Sequence, residues 1–99
     1  MSKSKVYYSK EISPEALIRV YEALGVELTG RVAVKVSSGE KGAKGYLKRG
    51  LIEALVKRLN GTIVECNTAY PGSRNTAEDH LATVKEHGFD FAPIDIMIA

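Results

Sequence analysis

The sequence is poor in cysteine, and it has no tryptophan and no long apolar run. Because Cys66 is the only cysteine, an intramolecular disulfide framework and a zinc site built from several cysteines are excluded. A 4Fe-4S cluster is usually held by four thiolates, so this chain cannot hold one alone. No stretch approaches the roughly 18 apolar residues that cross a membrane, and the polar first residues do not resemble a secretion signal. We therefore expect a cytoplasmic protein with no membrane partner.

The sequence also lacks a large excess of positive or negative charge. Fourteen lysines and arginines against twelve acidic residues leave a net charge of +2, too small to indicate nucleic acid as a partner. Basic residues gather in a glycine-rich stretch at Lys41, Lys44, Lys48 and Arg49, and a solvated loop is the preferred explanation for them. The 99 residues, 44% of them hydrophobic, predict one domain over residues 1–99 with a single core.

The first two helices are predicted from their apolar periodicity and their end signals. Ser13 has the position of an N-cap, Pro14 follows as the first helical residue, and Gly25 is a left-handed stop. A second amphipathic pattern begins at about Lys48 and ends at Asn60 and the glycine after it. Both patterns place their apolar residues on one helical face, which is typical of helices packed on a core.

A third helix is predicted before Gly88, and its start has two interpretations. Thr76 with Asp79 has the spacing of a capping box, although glutamate is preferred at the second place. Asn75 with Glu78 has the same spacing and is equally good. Both interpretations put the start of this helix directly after a polar loop.

Four strand-like runs alternate with these helices. They cover residues 5–9, 31–37, 62–66 and 94–98. The order βαβαβαβ predicts an α/β protein with a mainly parallel four-stranded sheet and three helices. Three helices can hardly cover both faces of such a sheet, which parallel sheets require. We therefore expect either the N-terminal part of a larger α/β domain or a homo-oligomer that hides the bare face.

The ten residues between the strand at 62–66 and the third helix are almost all polar or turn-forming. Ligands of open α/β sheets bind outside the carboxyl ends of the strands, and a helix start offers free N–H groups. Arg74 can grip a carboxylate or phosphate, or it can pair with Glu78 or Asp79 at the surface. A site for a small anionic molecule is predicted, lined by Lys35, Asn67, Thr68, Tyr70, Gly72, Arg74, Asn75 and Thr76.

Two histidines of the third helix, His80 and His87, are predicted on its apolar side. A histidine there is usually a packing residue, and the seven-residue spacing lacks the step of helical zinc ligands, so no metal site is predicted. The alternative is an acid/base enzyme in which His80 acts with Glu65 or Asp79. Cys66 would need a base such as His80 to act as a nucleophile, and a buried strand cysteine is the simpler interpretation.

The sequence also carries a motif that is similar to a known family. Asn67-Thr68-x-Tyr70-x-Gly72-x-Arg74, with a histidine at position 80 and His87-Gly88-Phe89 after it, resembles the domain of unknown function 362 family, and the similarity extends over residues 32–99. Members are uncharacterised iron–sulfur centre proteins that often carry a ferredoxin-like tail. The resemblance implies a redox-linked setting, with a 4Fe-4S cluster in a C-terminal region that this chain lacks.

Three functions follow as expectations. The first is a ligand-binding α/β module of an iron–sulfur protein, with the small-anion site described above and His80 beside it. The second is the acid/base enzyme built on His80. The third is a scaffold for protein partners, which a bare sheet face would favour.

Overall fold

The computed structural model describes residues 3–97, which form a mixed α/β protein with three helices and a three-stranded parallel sheet. The elements in chain order are α1 (Pro14–Ala23), β1 (Val32–Lys35), α2 (Arg49–Arg58), β2 (Gly61–Cys66), α3 (Ala77–Glu86), a 3-10 turn (Phe89–Phe91) and β3 (Ile94–Met97). Across this part of the chain, no helix has both the length and the apolar character that crossing a membrane requires.

The predicted fourth strand and the βαβαβαβ order are not found. Residues 5–9 are not in the sheet, and Tyr7 and Tyr8 instead line a cleft on α1 together with Ala16 and Val20. Contact with the apolar side of the helix replaces strand pairing, because an alternating pattern favours a strand only where a sheet edge accepts it. Val6 is left 87% exposed. The predicted strand at 94–98 is observed as far as residue 97, and residue 98 lies outside the described residues.

The predicted ends of α1 are confirmed. Ser13 is the N-cap, since its side-chain oxygen accepts a hydrogen bond from the backbone N–H of Ala16 at 3.0 Å. Pro14 is the first helical residue, and Gly25 adopts a left-handed φ of 68° just after the helix. Capping and backbone preference therefore set the limits of this helix, as expected from the sequence.

The start of α3 is settled between its two interpretations. Thr76, not Asn75, is the N-cap, and its hydroxyl accepts a hydrogen bond from the backbone N–H of Asp79 at 3.1 Å. Gly88 ends the segment with a left-handed φ of 93°. The direction in which α3 leaves the polar loop is thereby fixed, and with it the position of the residues one turn into the helix.

The sheet has the order β1-β2-β3 with all strands parallel. One face is covered by the helices, where Ile63 of the central strand packs with Val56, Val84 and Phe89 in the core. The opposite face carries side chains that are exposed: Ala33, Lys35, Cys66, Asp95 and Met97. The three helices thus cover a single face, as their number suggested.

Parallel strands end at the same edge of a sheet, and two loops meet there. The β1–α2 loop (residues 36–48) follows β1, and the β2–α3 loop (residues 67–76) follows β2. Hydrogen bonds join the two loops directly, including one from the backbone N–H of Lys41 to the hydroxyl of Ser73 at 3.0 Å. The carboxyl edge is therefore the place where residues distant in the sequence come together.

Candidate functional site

Glu65 is the centre of a buried polar cluster at this edge. Two residues beyond Ile63, it lies on the covered face of β2, and only 4% of its surface is exposed. Its Oε2 accepts hydrogen bonds from the backbone N–H and the hydroxyl of Ser38, at 2.9 and 2.8 Å. Its Oε1 accepts one from Nζ of Lys35 at 3.0 Å. We call Lys35, Ser38, Glu65 and the adjacent His80 the inner cluster.

Two opposing effects act on the pKa of Glu65. Burial raises the pKa because a carboxylate loses hydration. The backbone N–H of Ser38, the ammonium of Lys35 and the hydroxyl of Ser38 lower it, and together they prevail, so that the pKa lies below its ordinary value. Glu65 is therefore an ionised carboxylate at neutral pH, held in place by three donated hydrogen bonds.

His80 lies against this carboxylate and is fully buried. Its Nε2 is 3.5 Å from Oε2 of Glu65, too long for a good hydrogen bond but close enough for an ion pair when the imidazole is protonated. Within residues 3–97 neither ring nitrogen has a hydrogen-bond partner. A buried polar group left in this state costs about 1–3 kcal/mol, so the fold retains His80 at the expense of stability.

Lys35 starts from the opposite face at the end of β1, but its side chain reaches Glu65, and it is the member of the inner cluster that is open to solvent. Its side chain is 57% exposed, and besides bonding Glu65 its ammonium donates to the carbonyl oxygen of Val36 at 2.7 Å. A ligand that approaches this edge therefore meets a cation first and the carboxylate behind it.

A second histidine, His87, contacts the inner cluster through Ser38. Nδ1 of His87 is 2.6 Å from the carbonyl oxygen of Ser38, and its ring stacks on Tyr46 with centroids 4.1 Å apart and planes 8° apart. The prediction that His80 and His87 turn inward is confirmed, since the first is buried and the second half-buried. The role of Tyr46 at this site was not predicted, because nothing local in the sequence pairs it with His87.

Arg74 belongs to a separate cluster between the two loops. Its Nε donates to Oε1 of Glu40 at 2.9 Å, and Glu40 also accepts hydrogen bonds from the hydroxyls of Ser73 at 2.7 Å and Tyr70 at 3.2 Å. We call Glu40, Tyr70, Ser73 and Arg74 the outer cluster. The hydroxyl of Ser73, and then Arg74, lowers the pKa of Glu40.

The partner of Arg74 differs from the surface partners that the sequence suggested. Its guanidinium pairs with Glu40, 34 residues away, and only 19% of its side chain is exposed. The arginine therefore joins the β1–α2 loop to the β2–α3 loop, and its charge is balanced there. Glu78 and Asp79 were the partners expected from helical spacing, and a partner from another loop gives no such local signal.

The other residues predicted to line an anion site mainly tie the β2–α3 loop to itself. The side-chain amide of Asn67 donates to the carbonyl of Asn75 at 3.3 Å, and that of Asn75 donates to the carbonyl of Thr68 at 3.2 Å. The hydroxyl of Thr68 donates to the carbonyl of Tyr70 at 2.9 Å. Gly72 lies in the same loop and Thr76 caps α3. These residues shape the loop that follows β2 at the carboxyl edge of the sheet.

Asp79 and Cys66 are placed away from the inner cluster. Asp79 is exposed on α3, where it lines a cleft of about 280 Å³ with Lys41 and Ser73, so Glu65 is the carboxylate that the fold brings to His80. The prediction that Cys66 is buried is wrong: it is exposed, because it alternates with Glu65 and falls on the bare face. Among residues 3–97, no three histidine, cysteine or acidic side chains are grouped to hold a metal ion.

Comparison with known proteins identifies no relative: the chain matches no family model, no curated protein and no solved structure. The resemblance to the domain of unknown function 362 family, and the iron–sulfur setting that it implies, therefore stay predictions.

Proposed function

We propose that this domain is an acid–base module that transfers a proton to or from a small polar ligand, with His80 as the proton-transferring group and Glu65 as its partner. One observation carries the proposal. A fully buried imidazole with no hydrogen-bond partner in residues 3–97 lies 3.5 Å from an ionised carboxylate. The alternative of an enzyme using His80 with Glu65 is thus favoured over the pairing of His80 with Asp79.

The energetic cost of His80 supports a functional role. A leucine or methionine of similar size would fill the same space without leaving two ring nitrogens unpaired. Buried polar groups that lack a hydrogen-bond partner are found mostly at functional sites, where the protein tolerates the loss of stability. The pair also lies at the carboxyl ends of parallel strands, where ligands of α/β proteins bind.

The geometry supports a role for each side chain. When the imidazole of His80 accepts a proton from the ligand, it becomes an imidazolium, and the adjacent carboxylate of Glu65 stabilises that charge. Nε2 faces the carboxylate, which leaves Nδ1 as the nitrogen that exchanges a proton with the ligand. The ammonium of Lys35 is paired with Glu65, but it is exposed to solvent, so it can also donate a hydrogen bond to a ligand such as a small carboxylic acid.

Access to the pair requires a movement of the structure, since His80 is fully buried. The β1–α2 and β2–α3 loops cover this edge, and they are joined by hydrogen bonds that involve exposed or half-buried groups. Loops of this kind open at low cost compared with a core. We propose that a ligand enters when these two loops separate.

Anion binding at Arg74 is less well supported than proton transfer. Glu40 already balances the charge of Arg74, so an anion would have to displace a carboxylate that holds three hydrogen-bond donors. The scaffold role and the redox-linked role do not explain why Glu65 and His80 lie together in the inner cluster. These three functions stay predictions.

Proton exchange in D₂O tests the proposed function. The protein is incubated with a set of small carboxylic and oxo acids, and the loss of the proton next to the acid or carbonyl group is followed by NMR. We expect at least one compound to exchange faster with the protein, and the enhancement to fall by about 10²-fold or more in His80→Gln, the size of a typical general-base contribution.

Asp79→Asn is the matched control, because it changes the neighbouring residue of α3, which is exposed and lines a cleft with Lys41 and Ser73. This variant should keep the rate of the unmodified protein. The proposal is contradicted if no compound exchanges faster than in buffer, or if His80→Gln exchanges as fast as the unmodified protein.

A further inference from the structure

His87 is tied to the inner cluster through the backbone of Ser38. We infer that His87 is a positioning residue, which acts through Ser38 to hold the carboxylate of Glu65 in place beside His80. This inference rests on the proposed function, because positioning Glu65 matters only if Glu65 and His80 act together. It is tested separately, through the pKa of Glu65.

The hydrogen bond between His87 and Ser38 determines which ring nitrogen of His87 carries a proton. The Ser38 carbonyl oxygen can only accept a hydrogen bond, so Nδ1 of His87, 2.6 Å away, must carry the proton. In the neutral ring Nε2 is then without a proton. His87 therefore acts as a donor of fixed direction, whereas His80, one helical heptad earlier, has no bonding partner in residues 3–97.

Ser38 connects His87 to Glu65 through hydrogen bonds. Its carbonyl is held by His87, while its N–H and its hydroxyl both donate to Oε2 of Glu65. That oxygen is the one that lies nearest to His80. A rotation of the peptide groups around Ser38 would break these bonds together, so the donor from His87 and the position of the carboxylate are linked.

The ring of His87 is itself held from the other side. Tyr46 stacks on it, and the ammonium of Lys48 lies 3.5 Å from the centroid of the tyrosine ring. Tyr46 also packs closely against the residue after Ser38: a Cβ on Gly39 would lie 2.7 Å from Cδ1 of the tyrosine, and the φ of +88° there suits glycine. Tyr46 thus contacts both the backbone that follows Ser38 and the histidine that bonds to the Ser38 carbonyl.

The test measures the pKa of Glu65 by following its carboxyl carbon in a ¹³C NMR titration of the intact chain. In His87→Leu, Ser38 loses its anchor, so the two donors to Glu65 weaken and the pKa should rise towards the ordinary value of 4.5. His87→Asn is the conservative variant, since its amide N–H can replace Nδ1. It should restore a pKa close to that of the unmodified protein.

Tyr46→Leu provides a second and milder variant that removes the stacking partner and keeps the donor. It should raise the pKa of Glu65 by less than His87→Leu, and it serves as the test if His87→Leu does not fold. An unchanged pKa of Glu65 in folded His87→Leu, or in Tyr46→Leu when the first variant is unfolded, overturns the inference. So does an equal rise in His87→Asn and His87→Leu.

This result is independent of the proton-exchange experiment. A shifted pKa without any exchange activity would support the positioning role and contradict the proposed function. Exchange activity with an unchanged pKa of Glu65 would support the proposed function and contradict the positioning role of His87.

Discussion

The inner and outer clusters at the carboxyl edge of the sheet are built from the same chemistry. Each has a glutamate that accepts three hydrogen bonds, one of them from a cation: Lys35 for Glu65 and Arg74 for Glu40. They differ in burial, since the side chain of Glu65 is 4% exposed and that of Glu40 is 35% exposed.

They differ also in how completely their polar groups are paired. In the outer cluster, the guanidinium of Arg74, the hydroxyls of Tyr70 and Ser73 and the carboxylate of Glu40 all have partners. The inner cluster contains His80, whose nitrogens have none in the described part of the chain. The comparison indicates that the outer cluster joins two loops, while the inner cluster holds a group whose partner is expected to be a ligand.

The largest effect should come from removing the buried carboxylate. Glu65→Leu leaves the N–H and hydroxyl of Ser38 buried without an acceptor, so we expect the free energy of unfolding to fall by about 3 kcal/mol. Glu40→Leu is the matched change in the outer cluster. It should lower the free energy much less, because water can reach the donors that it frees. Urea denaturation of both variants measures the difference, and equal losses would break the distinction between the clusters.

Acid should produce a smaller effect at the same residue. The folded-state pKa of Glu65 is lowered, so the ionised carboxylate stabilises the fold above the ordinary value of 4.5, and this contribution is lost as the pH falls through the folded-state pKa. The free energy of unfolding of the unmodified protein should therefore approach that of Glu65→Gln as the pH is lowered below 4.5. Subtracting the variant removes the effects of the other carboxylates. A constant difference across this range would contradict the account.

The local signals in the sequence predicted much of the fold. Ser13 acts as the predicted cap, and Thr76 is one of the two caps that the sequence allowed for the third helix. The strand predicted at residues 5–9 is wrong, because pairing depends on what lies beside a strand, and here α1 offers an apolar surface instead. Periodicity indicates what a segment can form, and the tertiary contacts decide what it does form.

The site was predicted less completely, for a related reason. Glu65, His80 and Lys35 were among the candidate site residues predicted from the sequence. The pairing of Arg74 with Glu40, and of His87 with Ser38, joins residues 34 and 49 positions apart. Hydrogen bonds between loops depend on how the loops fold over the sheet edge, and a single sequence has no local pattern that reports it.

The most direct test of the account is the free energy of unfolding of His80→Leu. If the fold retains an unpaired imidazole for function, replacing it with an apolar side chain should raise the free energy by about 1 kcal/mol and abolish proton exchange. His87→Leu is the control at the C-cap of the same helix: it loses a bonded donor and should lower the free energy by about 1 kcal/mol. A loss of stability in His80→Leu as large as that in His87→Leu would show that His80 is a structural residue, and it would contradict the central claim.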